Sequence, residues 1–126
     1  MYNVVIGQGA YREIIIDLLI EKKKLVIAVD NKENLQSIKN RKILKLEVNI
    51  ENVKLVENAI LNQPIENIYI ITDDDKLNLM LGEQLSDKYN TNVFLSDEKI
   101  SALVDKNYKL ICTSLLVKEF INKEIG

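Results

Sequence analysis

Hydrophobic and polar positions divide this chain into short apolar runs of strand length that alternate with stretches of helical spacing. We predict six strands, at residues 2–6, 25–29, 42–48, 67–72, 92–95 and 109–111. We predict helices at residues 10–22, 33–40, 52–62, 75–88, 97–105 and 113–123. The only proline, Pro64, ends the third helix and marks the turn that follows it.

Strands that alternate with helices through short connections predict a parallel β-sheet with helices on both faces. The second strand is apolar throughout and needs cover on both sides. The third strand carries Lys45 and Glu47 between apolar residues, which is typical of a sheet edge. We therefore predict an α/β fold, a Rossmann-like doubly wound sheet with strand order 3-2-1-4-5-6. A chain of 126 residues fits one such domain, residues 1–126, and has no room for a second.

Apolar spacing also predicts which face of a helix turns toward the sheet. In the first helix we expect the inner face to consist of Ile14, Ile15, Leu18 and Leu19. In the fourth helix we expect a stripe of Leu77, Met80, Leu81 and Leu85.

Composition excludes several classes of function. The net charge is -2 with both signs interspersed, so no basic face is available and nucleic acid is not an expected partner. No apolar run approaches the length of a membrane span and no secretory signal begins the chain, so we expect a cytoplasmic protein that does not insert into membranes. The chain has no histidine and no residues for a substrate domain, so we expect no enzymatic activity. The single cysteine, Cys112, is expected to be a small buried apolar residue.

The chemistry of the chain concentrates after its predicted strands, because ligands of open α/β sheets bind beyond the carboxyl ends of the strands. Gly7, Gln8 and Gly9 follow the first strand, where Gly7 allows a tight turn and Gly9 allows a pyrophosphate to approach the helix N-terminus. Asp30 ends the second strand, 23 residues after Gly7, where an acidic residue accepts the ribose hydroxyls of a nucleotide. The alternative is that the glycines only form a tight turn in a protein that binds something else.

Arg12 occupies the position at which the dinucleotide motif has its third glycine. Its guanidinium could cap a phosphate through two hydrogen bonds. It could equally be solvated or paired with an acidic residue, and the phosphate pocket would then be partly spoiled. The carboxylate of Asp30 repels a 2′-phosphate, so NAD, ATP, ADP or AMP is preferred over NADP.

Three aspartates, Asp73, Asp74 and Asp75, follow the fourth predicted strand. Such carboxylates could bind Mg²⁺ or a ribose. Adjacent aspartates also serve as helix N-caps and as first-turn acids that complement the helix dipole, and we favour this interpretation.

The segment IYIITDDDKLNLMLGEQL, taken with the glycine turn and Asp30, resembles the TrkA-N family, the nucleotide-binding RCK domains that regulate potassium channels and potassium-uptake transporters. The resemblance extends over the whole chain. In that family the fourth strand typically ends in Thr, followed by Asp and Asn at intervals of three, which fall here on Thr72, Asp75 and Asn78. Family members commonly carry Gly-Asp after the third strand, where this chain has Val48 and Asn49.

The resemblance implies a regulatory domain that binds NAD or NADH, or an adenine mononucleotide such as ATP, ADP or AMP. It also implies a membrane potassium channel or transporter as partner, through which the protein reaches the membrane, and Asn78 facing the nucleotide crevice. The expected binding residues are Gly7, Gln8, Gly9, Ala10, Tyr11, Arg12, Asp30, Asn31, Asn49, Thr72, Asp73, Asp75 and Asn78. A nucleotide-free interaction domain and the cofactor half of a larger oxidoreductase are the alternatives.

The terminal helix, which reaches about residue 124, carries more apolar residues than a sheet-facing helix needs: Leu115, Leu116, Val117, Phe120, Ile121 and Ile125. It could be a last covering helix with a loose end, or a helix packed against a second copy of the chain. In the resembling family the corresponding helix crosses to a neighbouring subunit, so we expect a homodimer.

Overall fold

A computed structural model describes residues 1–39, 42–103 and 108–125, which form a six-stranded parallel sheet in the order β3-β2-β1-β4-β5-β6. The strands are β1 (Tyr2–Gly7), β2 (Leu25–Asp30), β3 (Leu44–Glu47), β4 (Ile65–Ile71), β5 (Thr91–Leu95) and β6 (Lys109–Cys112). The helices are α1 (Ala10–Glu21), α2 (Lys32–Gln36), α3 (Val53–Ile60), α4 (Asp75–Leu85), α5 (Glu98–Leu103) and α6 (Thr113–Ile125). The predicted fold class and strand order are confirmed.

Element boundaries differ from the predicted ones mostly at the helix ends. The second helix, predicted at residues 33–40, ends at Gln36, and the fourth, predicted to residue 88, ends at Leu85. Residue 40 of the predicted second helix and residues 104–105 of the predicted fifth lie outside the described residues. Within the described residues, every helix is too short or too polar to span a lipid bilayer.

The central strands carry buried apolar residues on both of their sides because helices cover each face of the sheet. Successive side chains of a strand point to opposite faces, so Val4 and Ile6 of β1 pack with the α3–α4 layer and Val5 packs with the α1–α2 layer. The edge position predicted for the charged third strand is also observed, since β3 pairs with β2 alone in the described sheet.

The predicted inner face of α1 is wrong in part. Ile14 and Leu18 are 53% and 49% exposed, whereas Ile16 and Leu19 are buried. The sequence reads Ile-Ile-Ile and Leu-Leu-Ile on either side of Asp17, so its apolar spacing fits several rotations of the helix equally well. In the observed rotation, Arg12 in the first turn is buried and its guanidinium donates a hydrogen bond to the backbone of α2.

The predicted stripe of α4 is wrong at one position, since Met80 is 49% exposed. The buried face contains Leu81 and Leu85, which were predicted, and also Asn78, which is 1% exposed. A polar residue holds this buried position because its amide bonds to the ends of two strands, as the site geometry shows.

Candidate functional site

The glycine turn between β1 and α1 has two residues with left-handed backbone conformations, Gly7 (φ 138°) and Gly9 (φ 94°). A Cβ at Gly7 would overlap the carbonyl of Ile71, because the turn passes close to the end of β4. The Gln8 backbone N–H donates to that same carbonyl oxygen over 3.3 Å. Gly7 is therefore required by the close approach of the two strand ends.

Gly9 has a different surrounding. A Cβ placed there meets no atom of the described residues within 4 Å, so open space lies in front of the turn. Gly9 is also the N-cap of α1, and among the described residues no side chain caps the helix. The first N–H groups of α1 are thus available to an anion in that space.

Asp30 closes β2 beside this turn and is fully buried. Its Oδ1 accepts a hydrogen bond from the Asn31 backbone N–H over 2.6 Å. Its Oδ2 is buried too, yet it has no hydrogen-bond partner in the part of the chain that the structure describes. The Asn34 side chain lies within reach of the carboxylate, and a ligand hydroxyl that donated to Oδ2 would remove the cost of leaving this oxygen unpaired.

The pKa of Asp30 is raised above its ordinary value, chiefly because burial penalises the charged carboxylate. The nearby Asp73 carboxylate raises the pKa further. The Asn31 N–H, the Asn34 side chain and the charge of Arg12 lower it in part. A ligand that donates hydrogen bonds to the ionised carboxylate would offset the penalty.

Two cavities lie side by side along the carboxyl ends of the strands. The first, which we name the Asp30 cavity, has a volume of about 220 Å³ and is lined by Gln8, Asp30, Asn31, Asn34, Asn49, Ile50, Glu51, Thr72, Asp73, Asp74 and Leu77. The second, the Tyr11 cavity, has a volume of about 340 Å³ and is lined by Gln8, Gly9, Ala10, Tyr11, Ile71, Thr72, Asp73, Asp75, Phe94, Leu95, Ser96 and Thr113. Both include Gln8, Thr72 and Asp73, so the two cavities meet beside the glycine turn.

Most of the expected binding residues line these cavities. The Asp30 cavity brings together Gln8, Asp30, Asn31, Asn49, Thr72 and Asp73, and the Tyr11 cavity adds Gly9, Ala10, Tyr11 and Asp75. Sequence reasoning missed Asn34, Ile50, Glu51 and Leu77 in the first cavity, and Ile71, Phe94, Leu95, Ser96 and Thr113 in the second, while Asp74 of the first cavity was interpreted as a helix cap. The rule that ligands bind beyond strand ends points to the residues after β3, β5 and β6 and could have identified several of them.

Arg12, which was among the expected binding residues, does not line either cavity, and of its two interpretations the pairing with an acidic residue is the one observed. Its side chain is 2% exposed and its guanidinium is used by protein acceptors. Nη1 donates to the backbone oxygens of Gly7 (3.1 Å) and Asn34 (2.9 Å), and Nη2 donates to Glu13 Oε1 (2.6 Å) and Ser37 Oγ (3.0 Å). Arg12 thus joins the glycine turn to α2, and the cavities stay open.

Asn78 is likewise turned away from the cavities, contrary to what the resemblance implies. Its Oδ1 accepts from the Thr72 backbone N–H (3.0 Å) and from the Thr72 hydroxyl. Its Nδ2 donates to the backbone oxygens of Thr72 (3.1 Å) and Phe94 (2.8 Å). Because these bonds occupy the whole amide, Asn78 fastens the ends of β4 and β5 together rather than facing a ligand.

The aspartates after β4 divide into three roles. Asp74 is the N-cap of α4, as expected from the sequence, and its Oδ1 accepts from the backbone N–H groups of Lys76 (2.9 Å) and Leu77 (3.2 Å). Asp75 lines the Tyr11 cavity, but its oxygens accept from the backbone N–H groups of Ser96 (2.9 Å) and Asp97 (2.8 Å), so it builds the loop after β5. Asp73 is exposed and borders both cavities.

Asn31 and Asn49 line the Asp30 cavity while also shaping its loops. Asn31 is the N-cap of α2, and its Oδ1 accepts from the Asn34 backbone N–H over 2.9 Å. The Oδ1 of Asn49 accepts from the Glu51 backbone N–H over 3.2 Å.

Within the described residues, no group of three or more acidic or cysteine side chains is placed to hold a metal ion.

Comparison with known proteins reveals likeness in structure. No model of a protein family matches this sequence, and no curated protein matches it either. The NAD(P)-binding domain of an exopolyphosphatase-related protein from Archaeoglobus fulgidus is 20% identical, with a TM-score of 0.74 over 98% of this chain and 96% of that one. The fold of this chain is thus shared, over nearly its whole length, with a domain of the same size.

Two larger proteins share the fold over part of their length. UDP-glucose 4-epimerase from Thermotoga maritima, in complex with UDP-glucose, is 25% identical, with a TM-score of 0.59 over 76% of this chain and 38% of the epimerase. A short chain dehydrogenase family protein from Francisella tularensis is 14% identical, with a TM-score of 0.57 over 85% of this chain and 55% of that one. The chain therefore spans well under half of the epimerase, and it has the Rossmann-like fold that these proteins contain.

Proposed function

We propose that this chain binds an adenine-containing nucleotide whose ribose hydroxyls donate to Asp30. The observation that carries the proposal is the buried Asp30 Oδ2, which has no hydrogen-bond partner among the described residues and borders a cavity. A ribose diol supplies two neighbouring O–H donors, so one hydroxyl would reach Oδ2 and the other would share Oδ1. The likeness in fold to an NAD(P)-binding domain supports this choice of ligand.

The phosphates of the nucleotide would lie in front of Gly9. Its positive φ and the open space beside it bring a ligand close to the backbone, and the uncapped N-terminus of α1 favours an anion there. Since the two cavities meet beside this turn, NAD or NADH would span both of them. ATP, ADP or AMP would occupy the Asp30 cavity and the turn alone.

We propose that the domain is regulatory and not an enzyme. In the part of the chain that the structure describes, neither cavity is lined by histidine, lysine or cysteine. Cys112 is buried at the end of β6, as expected, with its Sγ 3.4 Å from the Ser114 hydroxyl. Within the described residues the thiol contacts the Ser114 hydroxyl and the Ser96 carbonyl, and neither is a base that could activate it.

The regulated partner would be a membrane potassium channel or transporter, as for the TrkA-N and RCK domains that the chain resembles. The support is the glycine turn and Asp30 at one cavity, combined with the Thr72–Asp75–Asn78 segment that fastens the strand ends. A cytoplasmic domain of this kind acts when its ligand has different affinities for two packings of the protein. Potassium flux through a candidate membrane transporter, measured with and without added protein and nucleotide, tests the assignment, and a flux that neither addition changes would contradict it.

A second copy of this chain is the partner that α6 would contact. No residue of α6 is buried within the described structure, and its apolar side chains are 40% to 79% exposed. On the α1 side of the sheet, Ile15, Leu18, Leu19, Lys22 and Tyr69 line an open, mostly apolar cavity of about 230 Å³. One chain thus presents both an exposed apolar helix and an apolar cavity. In a symmetric dimer, α6 of each copy would pack into the cavity of the other copy, so that both surfaces would be buried in both copies.

Light scattering of the protein tests the dimer. We expect a dimer for the natural sequence and a monomer for Phe120→Glu, because Phe120 is 66% exposed and apolar. Lys123→Glu, at another exposed position on the same helix, is the matched control and should stay dimeric. A monomeric natural protein would contradict this assignment.

A second candidate function is the cofactor-binding half of a larger oxidoreductase. It is favoured by the likeness to an epimerase and to a dehydrogenase family protein, whose chains are much longer than this one. Reduction of NAD by the full-length gene product in the presence of candidate sugar or alcohol substrates would support it. A nucleotide-free interaction domain is the outcome if no nucleotide binds.

Calorimetric titration of the protein with NAD, NADH, ATP and ADP tests the proposed function. We expect heat of binding with at least one of these nucleotides and an upward shift of Tm in its presence. Absence of both effects with all four nucleotides would refute a nucleotide site.

A further inference from the structure

The walls of the two cavities are acidic. Their carboxylate-bearing residues are Asp30, Glu51, Asp73, Asp74 and Asp75. Among residues 1–39, 42–103 and 108–125, no lysine or arginine lines either cavity. Asp73 borders both cavities at the point where Gln8 and Thr72 join them, which is where the phosphates of a bound nucleotide would pass.

The guanidinium nearest the glycine turn compensates for this charge only in part, by lowering the pKa of Asp30. Arg12 donates inward to Gly7 and Asn34 and forms an ion pair with Glu13 at 2.6 Å. A bound phosphate would therefore be held by backbone N–H groups and by the N-terminus of α1, which is equivalent to roughly half a positive charge. Such a site can hold a pyrophosphate, but each additional phosphate charge would face carboxylates, with no lysine or arginine among the described lining residues.

From this charge distribution we infer that the site selects nucleotides of low net negative charge and takes NAD in its oxidised form, NAD⁺, in preference to ADP and ATP. The inference rests on the proposed nucleotide site. In NAD⁺ the cationic nicotinamide ring cancels one of the two pyrophosphate charges. NADH lacks that cation, and the terminal phosphates of ADP and ATP add charge, so affinity should fall in the order NAD⁺, NADH, ADP, ATP.

Calorimetric titrations with metal-free NAD⁺, NADH, ADP and ATP, in EDTA at low and high NaCl, test the selection. At low salt we expect the dissociation constant of ATP to exceed that of NAD⁺ by about tenfold or more. At high salt the ratio should shrink, because screening weakens repulsion between the exposed carboxylates and the phosphates. If ATP were held by a cationic side chain instead, its dissociation constant would rise at high salt, because screening would weaken that attraction.

Asp73→Asn is the informative variant, because it removes the carboxylate that borders both cavities and none of the helix caps. It should narrow the ratio of the ATP and NAD⁺ dissociation constants by several-fold. Asp17→Asn makes the same change of net charge on the exposed side of α1 and should leave the ratio unchanged.

Two outcomes would overturn the inference: metal-free ATP binding as tightly as NAD⁺ at low salt, or a ratio that Asp73→Asn leaves unaltered. Both of these require that nucleotide binds, so they leave the proposed function standing. If none of the four nucleotides binds, the proposed function itself fails and the selectivity fails with it.

Discussion

The guanidinium of Arg12 donates a hydrogen bond of 3.1 Å to the carbonyl oxygen of Gly7, the residue that begins the glycine turn. The same Nη1 donates to the Asn34 carbonyl in α2, so one buried cation connects the turn to the segment that follows Asp30. In the dinucleotide motif this position belongs to a glycine that allows close packing of helix and sheet. Here a long side chain is accommodated there because it finds four acceptors around its end.

Removing the Arg12 side chain should destabilise the fold. Arg12→Met leaves the buried Gly7 carbonyl and the part-buried Asn34 carbonyl without this donor, and we expect a loss of about 2–4 kcal/mol in the free energy of unfolding. Urea denaturation measures it. Lys54→Met, at an exposed cation of α3, is the control and should change stability by less than about 0.5 kcal/mol. Equal effects of the two substitutions would show that the Arg12 contacts contribute nothing.

Asn78 should also prove structural. Asn78→Leu removes the donor to the Thr72 and Phe94 carbonyls, and we expect it to lower the free energy of unfolding by about 2–3 kcal/mol. Asn58→Leu, on the exposed side of α3, serves as the matched control with little effect. Unchanged thermal stability of Asn78→Leu would mean that the strand ends are held without it.

The two glycines should respond differently to alanine. Gly7→Ala places a Cβ against the Ile71 carbonyl at a left-handed φ, so we expect a loss of more than about 2 kcal/mol in stability. Gly9→Ala meets open space and loses only about 1 kcal/mol through its φ, but its methyl group enters the expected phosphate position. At a temperature where both glycine variants are folded, Gly9→Ala should therefore bind nucleotide more weakly than the natural protein does. If Gly9→Ala bound nucleotide as tightly as the natural protein, the phosphates would not lie in front of Gly9.

The raised pKa of Asp30 has a consequence for pH stability. Since the folded state holds this proton more tightly than the unfolded chain does, Asp30 lowers stability as pH rises from about 3.8 through its raised value. Asp30→Asn removes this penalty, so the variant should be more stable than the natural protein at neutral pH and lose that advantage in acid. Chemical denaturation at several pH values measures the difference, and a pH-independent difference would contradict the assignment.

The fold could be predicted because strand composition and strand position agree. Charged Lys45 and Glu47 tolerate an edge, whereas β1, β2 and β4 have apolar residues to bury on both sides and require the centre. The rotation of α1 could not be predicted, since its consecutive isoleucines and leucines satisfy several faces. It depends on the polar contacts that Arg12 makes with α2, which are invisible in the sequence.

The candidate site was predictable to the extent that it follows strand ends. Gly9 follows β1 and Asp30 ends β2, and they border adjoining cavities because parallel strands end at the same edge of the sheet. Asn78 was misplaced because motif spacing locates a residue in the chain without telling whether its amide faces a ligand or the backbone. The unpartnered Oδ2 of Asp30 depends on burial and hydrogen bonding in three dimensions, which no residue pattern contains.

Whether Asp30 holds a ribose diol is decided by paired calorimetric titrations of NAD⁺ and its 2′-deoxyadenosine analogue into the natural protein and into Asp30→Asn. We predict that the natural protein binds NAD⁺ at least about tenfold more tightly than the analogue, whereas Asp30→Asn binds both weakly and equally. If Asp30→Asn retained the affinity of the natural protein for NAD⁺, the Asp30 carboxylate would not hold the ribose.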